Sequence, residues 1–255
     1  MKRLQFGFDS LLKCIVLMGF VAVVIPGPVP ASAQQCTAAQ PCAYVANSAD
    51  GTVTVINTFN ASVVATVPAY PADCITGPCF VNSISGYVAI TPDGAYAWVT
   101  NAGANIDALS VIDTTQNAVV AEVLAEPNTP QPSGCASGTG PCHFPLGIAI
   151  NPVAIDTSGR TYAYVANRYS ATVSVIDTNA ALSDPTNANG QTLVNTVPLT
   201  AGANGPAAPA AVAVTPDGKH VWVTDVLNNS VFVIDSTPGG KQPFECRGKG
   251  GPCLG

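Results

Sequence analysis

Tyr44-Val45-Ala46-Asn47, Trp98-Val99-Thr100-Asn101, Tyr164-Val165-Ala166-Asn167 and Trp222-Val223-Thr224-Asp225 are one tetrapeptide pattern written four times. A second element follows each copy: Val53-Thr54-Val55-Ile56-Asn57, Leu109-Ser110-Val111-Ile112-Asp113, Val173-Ser174-Val175-Ile176-Asp177 and Val231-Phe232-Val233-Ile234-Asp235. The distance from the aromatic residue to the isoleucine is 12 residues in copies one, three and four and 14 in copy two. Short runs of β-branched and aromatic residues in so constant a register predict two paired strands joined by a turn. A third run follows in Ser62–Val67, Ala118–Val123 and Leu193–Val197. Upstream, Val88-Ala89-Ile90 and Val212-Ala213-Val214 lead into Thr91-Pro92-Asp93-Gly94 and Thr215-Pro216-Asp217-Gly218. Pro presets one dihedral of a tight turn and Gly accepts positive φ, so Pro-Asp-Gly between apolar runs predicts a hairpin.

A complete unit is therefore strand a, a Pro-Asp-Gly turn, strand b with the aromatic, a polar turn, strand c ending in Val-Ile-Asp, and strand d. Repetition of a four-stranded antiparallel unit predicts an all-β fold, a β-propeller with blades near residues 43–69, 86–125, 146–199 and 210–236. Successive aromatics are 54, 66 and 58 residues apart, against about 40–45 for a compact blade. The excess falls in loops around Cys74–Cys79, around Cys135–Cys142 and in Ser183–Gly190. Copy one starts at strand b and copy four ends after strand c, which gives 14 strands and leaves residues 237–255 as a Cys-containing tail.

The repeated Tyr/Trp-Val-Ala/Thr-Asn, Thr-Val-Ser-Val-Ile-Asp and Thr-Pro-Asp-Gly elements resemble the YVTN-type β-propeller repeat of exported, surface-layer-like bacterial and archaeal proteins, over roughly residues 43–236. The resemblance implies a seven-bladed ring in most relatives, so about four repeats make an incomplete ring: a truncated frame or a half-ring completed by association. A closed four-bladed ring is the alternative. The resemblance implies no single activity, since such repeats are shared by proposed binding proteins and lactonase-like propellers.

The N-terminus reads as a targeting segment. Lys2, Arg3 and Lys13 precede an apolar run from Cys14 to Ile25, and Ala31-Ser32-Ala33 supplies a small-x-small site, the order of a signal peptide over residues 1–33. Pro26, Pro28 and Pro30 stop the run short of the roughly 20 residues of a spanning helix, so no membrane span is expected after cleavage. The chain of 255 residues has only 9% charged residues and a formal charge of −6. Removing Lys2, Arg3, Lys13 and Asp9 makes it −8, which excludes electrostatic capture of nucleic acid. An extracytoplasmic location, periplasmic, secreted or cell-surface, follows.

In that compartment cysteines oxidise by default. The eight beyond residue 33 form four close pairs, Cys36/Cys42, Cys74/Cys79, Cys135/Cys142 and Cys246/Cys253, the second of each following a proline. Variable spacing and two histidines in the whole chain argue against zinc, so local disulfides are expected and no metal. Connectivity stays open, with nearest neighbours the simplest pairing.

No nucleophile elbow, phosphate loop or metal-binding histidine spacing is present, and no cofactor is expected. Gly134–Gly140 lacks the following helix that phosphate cradling requires. Asn47-Ser48-Ala49-Asp50-Gly51 lacks the terminal Glu of a calcium loop and reads as a hairpin turn. His143, in a loop leading to an innermost strand, is the candidate catalytic residue, and Arg168, in the turn after strand b of copy three, the candidate anion ligand. His220 beside a Pro-Asp-Gly turn reads as solvated. Asp113, Asp177 and Asp235 recur at one blade position and read as turn caps; Tyr44, Trp98, Tyr164 and Trp222 read as blade packing. Since each repeated residue has a structural explanation, the sequence favours a non-catalytic propeller for protein or cell-envelope interaction, with self-association covering open blade edges. The alternative is a lactonase-like or redox-associated enzyme acting at the channel mouth.

Overall fold

The computed structural model describes residues 41–48, 50–69, 84–102, 107–125, 144–153, 159–184, 192–237 and 244–247. The chain divides into Met1–Ala33 and Gln34–Gly255; the first unit, and with it the expected signal peptide, lies outside the described residues. The described residues form fifteen strands and one short helix: β1 (Cys42–Asn47), β2 (Thr52–Asn57), β3 (Ser62–Pro68), β4 (Ile84–Ile90), β5 (Tyr96–Ala102), β6 (Asp107–Asp113), β7 (Ala118–Leu124), β8 (Pro145–Ile150), β9 (Tyr162–Asn167), β10 (Thr172–Asp177), α1 (Thr178–Ser183), β11 (Leu193–Pro198), β12 (Pro209–Val214), β13 (His220–Asp225), β14 (Ser230–Asp235) and β15 (Phe244–Arg247).

They form four sheets of consecutive antiparallel hairpins, β1-β2-β3, β4-β5-β6-β7, β8-β9-β10-β11 and β12-β13-β14-β15. The repeat's two inner strands pair in the expected register: Tyr44 faces Val55, Trp98 faces Val111, Tyr164 faces Val175 and Trp222 faces Val233. The fold is all-β, a β-propeller with an incomplete ring.

One expectation is corrected. Copy four does not end at strand c: Phe244–Arg247 pairs with β14, from Ser230 opposite Arg247 to Val233 opposite Phe244. Phe244-Glu245-Cys246-Arg247 alternates apolar and charged residues over only four positions, the shortest run in which such a pattern reads as a strand, and an edge strand needs only one backbone partner. The α1 turn is also absent from the sequence reading. Asp177 caps it, accepting from the Asn179 and Ala180 N–H groups.

The Pro-Asp-Gly hairpins are built twice in the same way. Thr91 Oγ1 donates to Asp93 Oδ1 at 2.6 Å and accepts from Tyr96 N–H at 3.0 Å; Thr215 repeats both contacts with Asp217 and His220 at 2.6 and 3.0 Å. Gly94 and Gly218 take φ of 73° and 72°, the left-handed conformation that glycine adopts without strain. In the third blade Asn151 replaces the threonine, its Oδ1 accepting from Tyr162 N–H. At the other corner of each blade Asp113 Oδ1 accepts from Thr115 and Gln116 N–H, Asp235 Oδ1 from Thr237 N–H, and Asn57 Oδ1 from Phe59 N–H. The recurring acids are turn caps.

Three apolar clusters join the four blades in chain order. Val53, Val55 and Val67 of blade 1 meet Ala97, Val99 and Ile112 of blade 2. Trp98, Leu109, Val111 and Val123 of blade 2 meet Ile148, Ala163, Val165 and Ile176 of blade 3. Tyr162, Tyr164 and Val173 of blade 3 meet Val221, Val223 and Phe232 of blade 4. Alternation along strand b explains this, since successive side chains point to opposite faces: the aromatic faces the following blade and its two neighbours face the preceding one. A closed ring of four would bury a fourth junction. Instead Trp222 is 44% exposed and Val45 43%, so the blades form an open arc and the small closed ring is set aside. Trp98 and Tyr164 pack between blades, at 0% and 2% exposure; Tyr44 packs partly against the first cluster. Trp222 does not pack between blades: it is exposed, with no further blade beside it among the described residues.

The innermost strands a carry a shared irregularity. Register shifts between Ser85 and Val88, Pro145 and Ile148, and Pro209 and Val212 mark a bulge at the same place in three blades. The threonine of the repeat tetrapeptide serves it: Tyr87 N–H donates to Thr100 Oγ1 and Ala211 N–H to Thr224 Oγ1, each at 3.0 Å. Thr100 Oγ1 also donates across the junction to Leu146 O at 2.8 Å.

Candidate functional site

Strand register puts two kinds of connection at one end of the arc. In blade 3 Pro145 pairs with Asn167, Asn167 with Thr172, and Thr172 with Pro198. The b–c turns and the long d-to-a connections between blades therefore share an end. The Pro-Asp-Gly turns and the acid-capped c–d turns occupy the other. Arg168 sits at the first end, half-buried in the turn after β9, and its backbone N–H donates to Phe144 O at 3.1 Å. The Phe144 ring leans on exposed Tyr169, with centroids 4.9 Å apart at 45°, and Val226 and Leu227 stand exposed on the neighbouring turn. His143 immediately precedes Phe144 and itself lies outside the described residues. His220 is exposed at the opposite end, as expected of a solvated hairpin residue.

This end is anchored by the last residue of the repeat tetrapeptide, a role the sequence reading missed. Asn47 Nδ2 donates to Thr54 Oγ1 at 2.8 Å, Asn101 Nδ2 to Ser110 Oγ at 2.7 Å, and Asn167 Nδ2 to Ser174 Oγ at 2.8 Å. Asn101 and Ser110 also both donate to Ala69 O, at 3.0 and 2.7 Å, which ties the chain leaving blade 1 to blade 2. The available signal was the pairing of that asparagine with a Ser or Thr two positions into strand c. Blade 4 substitutes Asp225 and Phe232. Phe232 stands where the other blades carry the Ser or Thr that the asparagine meets, and the carboxylate turns to backbone donors: Oδ1 accepts from Ala208, Leu227 and Asn228 N–H at 3.0, 3.1 and 3.2 Å. Asn228 in turn holds the preceding connection, its Oδ1 accepting from Asn204 N–H at 2.9 Å.

Burial pushes the Asp225 carboxyl up, but hydrogen bonds from Ala208, Asn228 and Leu227 outweigh it and hold the group below its ordinary value. A carboxylate depressed in the folded state adds stability above its unfolded pKa of about 3.9 and loses it as pH falls through the folded value. Asp225→Asn is thus expected to melt lower than wild type at pH 7, with the gap closing in scans below about pH 3.9. An undiminished gap in acid would assign the loss to shape rather than charge.

Among the described residues no cluster of three or more His, Cys, Asp or Glu side chains is placed to hold a metal ion. Cys42 is disulfide-bonded. Cys36, Cys74, Cys79, Cys135, Cys142 and Cys253 lie outside the described residues, and Cys246 falls in β15. No helix among the described residues is long and apolar enough to cross a membrane.

Four-stranded blades set side by side, with their long connections gathered at one end, define a β-propeller. The chain belongs to the lactonase, seven-bladed β-propeller family, whose model matches residues 87–243, from blade 2 into blade 4. No curated protein sequence matches it. Among solved structures it is similar to Kuenenia stuttgartiensis hydrazine synthase, with 22% identity and a TM-score of 0.53 over 81% of this chain and 46% of that one. It is also similar to a protein from Lactobacillus plantarum, with 19% identity and a TM-score of 0.53 over 81% and 53%. The periplasmic gluconolactonase of Pseudomonas aeruginosa gives 19% identity and a TM-score of 0.51 over 81% and 54%. At these identities the likeness is one of fold, and the chain spans about half the length of each structure.

Proposed function

We propose that the protein is an exported propeller of the lactonase type, acting on a small lactone at the end of the arc where the b–c turns and the inter-blade connections meet. The observation that carries this reading is the family match over residues 87–243. It favours the lactonase-like alternative over the non-catalytic role that the sequence alone favours. Opening a lactone requires a base to activate water and a donor for the charge developing on the carbonyl oxygen. His143 is the proposed base, and Arg168, joined to the same loop through Phe144, the proposed partner for the anion. Export rests on the signal-peptide pattern of residues 1–33, and the similarity to a periplasmic gluconolactonase supports it. The finer YVTN-type assignment rests on the repeated tetrapeptides.

Turnover of gluconolactone by the full chain tests the proposal. His143→Ala is expected to lower kcat by about 10²–10⁴-fold, the usual share of a general base. Arg168→Ala is expected to weaken both binding and turnover. Activity indifferent to both substitutions would place the chemistry elsewhere, and no turnover of this or other simple lactones would return the protein to the non-catalytic class.

A further inference from the structure

We infer that Phe144 and Tyr169 form an aromatic platform beside Arg168 that selects, as substrate, a lactone carrying an apolar substituent over a polyhydroxylated one. The inference rests on the lactonase reading above and names the substrate class of that same site. Two observations carry it. The first is Phe144, which stands at φ 58°. Among the described residues the other non-glycines in the left-handed region are Ala61, Asn117, Ala171 and Asn229, all small or polar and all in hairpin turns. A bulky side chain there is an outlier, and a residue before proline, here Pro145, prefers extended backbone. Such strain persists only where the surroundings hold it, and it gathers at ligand-binding positions. The holding groups are those of the candidate site: Arg168 N–H donates to Phe144 O at 3.1 Å, and the Phe144 and Tyr169 ring centroids are 4.9 Å apart.

The second is Tyr169, 53% exposed. Blade 3 has blade 2 packed on one face and blade 4 on the other, so this exposure belongs to the turn and not to an uncovered blade face. The hairpin does not call for an aromatic here: its left-handed residue is Ala171, and the matching turns of blades 1 and 4 use Gly51 and Asn229. The contact of Arg168 with Phe144 recurs in blade 4 as Val226 N–H donating to Ala208 O at 3.2 Å, which makes exposed Leu227 the counterpart of Tyr169. Polar side chains of these turns are engaged with their own surroundings: Ser170 Oγ lies 2.9 Å from Thr172 Oγ1, Asn228 Nδ2 donates to Asp225 Oδ2 at 2.8 Å, and Asn204 Nδ2 to Leu227 O at 3.0 Å. A sugar lactone brings several hydroxyls that groups so committed do not serve, and hydroxyls desolvated without partners cost binding. An alkyl or aryl group gains by leaving water. In hydrolysis the water oxygen bonds to the lactone carbonyl carbon as His143 takes its proton, the ring C–O bond breaks, and the leaving alkoxide takes that proton back. The product acid loses its own proton to solvent, and Arg168 pairs with the carboxylate while the platform holds the apolar end.

δ-Valerolactone and δ-decalactone share the reacting ring and differ only in a pentyl chain, so the ratio of their kcat/KM values with the full chain reads the platform. One methylene in an enclosed apolar pocket is worth about 10–200-fold, and a half-open platform is expected to favour δ-decalactone by about tenfold, chiefly through KM. Tyr169→Ala should bring the ratio close to one and Tyr169→Phe should keep it; the position is exposed, so both variants should fold with unchanged circular dichroism. Glucono-δ-lactone should show the highest KM of the three. Equal values for the two alkyl lactones, or a KM for gluconolactone below that for δ-decalactone, overturn the inference and leave the lactonase reading standing. A preference that survives Tyr169→Ala overturns it as well, because the apolar contact then lies elsewhere. Turnover of none of the three lactones removes the lactonase reading and the inference with it.

Discussion

Trp98→Ala is expected to cost about 3–5 kcal/mol of folding stability, the range for deleting a fully buried large aromatic. The side chain is 0% exposed and fills the junction of blades 2 and 3, against Leu109, Val111, Ile148, Ala163 and Val165. Its removal leaves a cavity bounded by two sheets whose backbones are held in register on both sides, so neither can collapse far into it. The indole N–H has no hydrogen-bond partner among the described residues, and leaving such a donor buried costs about 1–3 kcal/mol. Trp98→Phe, which deletes that donor and keeps most of the volume, should therefore lose clearly less than Trp98→Ala. Trp222→Ala, at the equivalent position of blade 4, should change the stability by less than about 0.5 kcal/mol. Denaturant midpoints at a common slope check all three. Equal losses at Trp98 and Trp222 would contradict the open arc.

Gly147→Ala is expected to be nearly as damaging for the opposite reason, a side chain introduced where backbones touch. A Cβ at Gly147 would stand 2.4 Å from Ala210 O, 2.8 Å from Ala211 Cα and 2.9 Å from Val212 N. All three are backbone atoms of β12, so no side chain can swing aside. The innermost strands of blades 3 and 4 must separate, and overpacking of this kind costs about 1–3 kcal/mol even where side chains can yield. A loss at or above the top of that range is expected, and Gly147→Val should exceed it. Gly94→Ala is the control: its φ is 73° and a Cβ would meet nothing within 4 Å, so only the left-handed conformation is penalised, by about 1–2 kcal/mol. Thermal and denaturant unfolding of the variants would show the order, and a milder effect at Gly147 than at Gly94 would refute the close approach.

These two sites show how far sequence reasoning reaches. The Thr91–Tyr96 and Thr215–His220 hairpins, and the caps at Asp113, Asp177 and Asp235, were legible because each is settled by residues two to five positions apart. The strand pairs were legible for a related reason: a fixed offset between two runs leaves one antiparallel register that keeps every apolar residue on its face. Strand β15 escaped because the alternation in Phe244-Glu245-Cys246-Arg247 is only four residues long, the minimum for a strand signal, and its pairing with β14 is what establishes it. At the candidate site the sequence could single out Arg168 as a cation in a turn. It could not show that the turn is tied to Phe144, since that bond links residues 24 positions apart. The anchoring of Ala69 by Asn101 and Ser110 was hidden for the same reason.

By itself, then, the sequence determined the repeat, the order and register of its strands, the turn chemistry and the number of blades, all of which follow from local periodicity and short-range hydrogen bonding. Only the tertiary structure decided which copies of a repeated residue are buried. Trp98 and Trp222 stand in the same local pattern, yet one is sealed between sheets and the other faces water. The pleat sets the direction a side chain points, and the presence or absence of a neighbouring blade sets what it meets there.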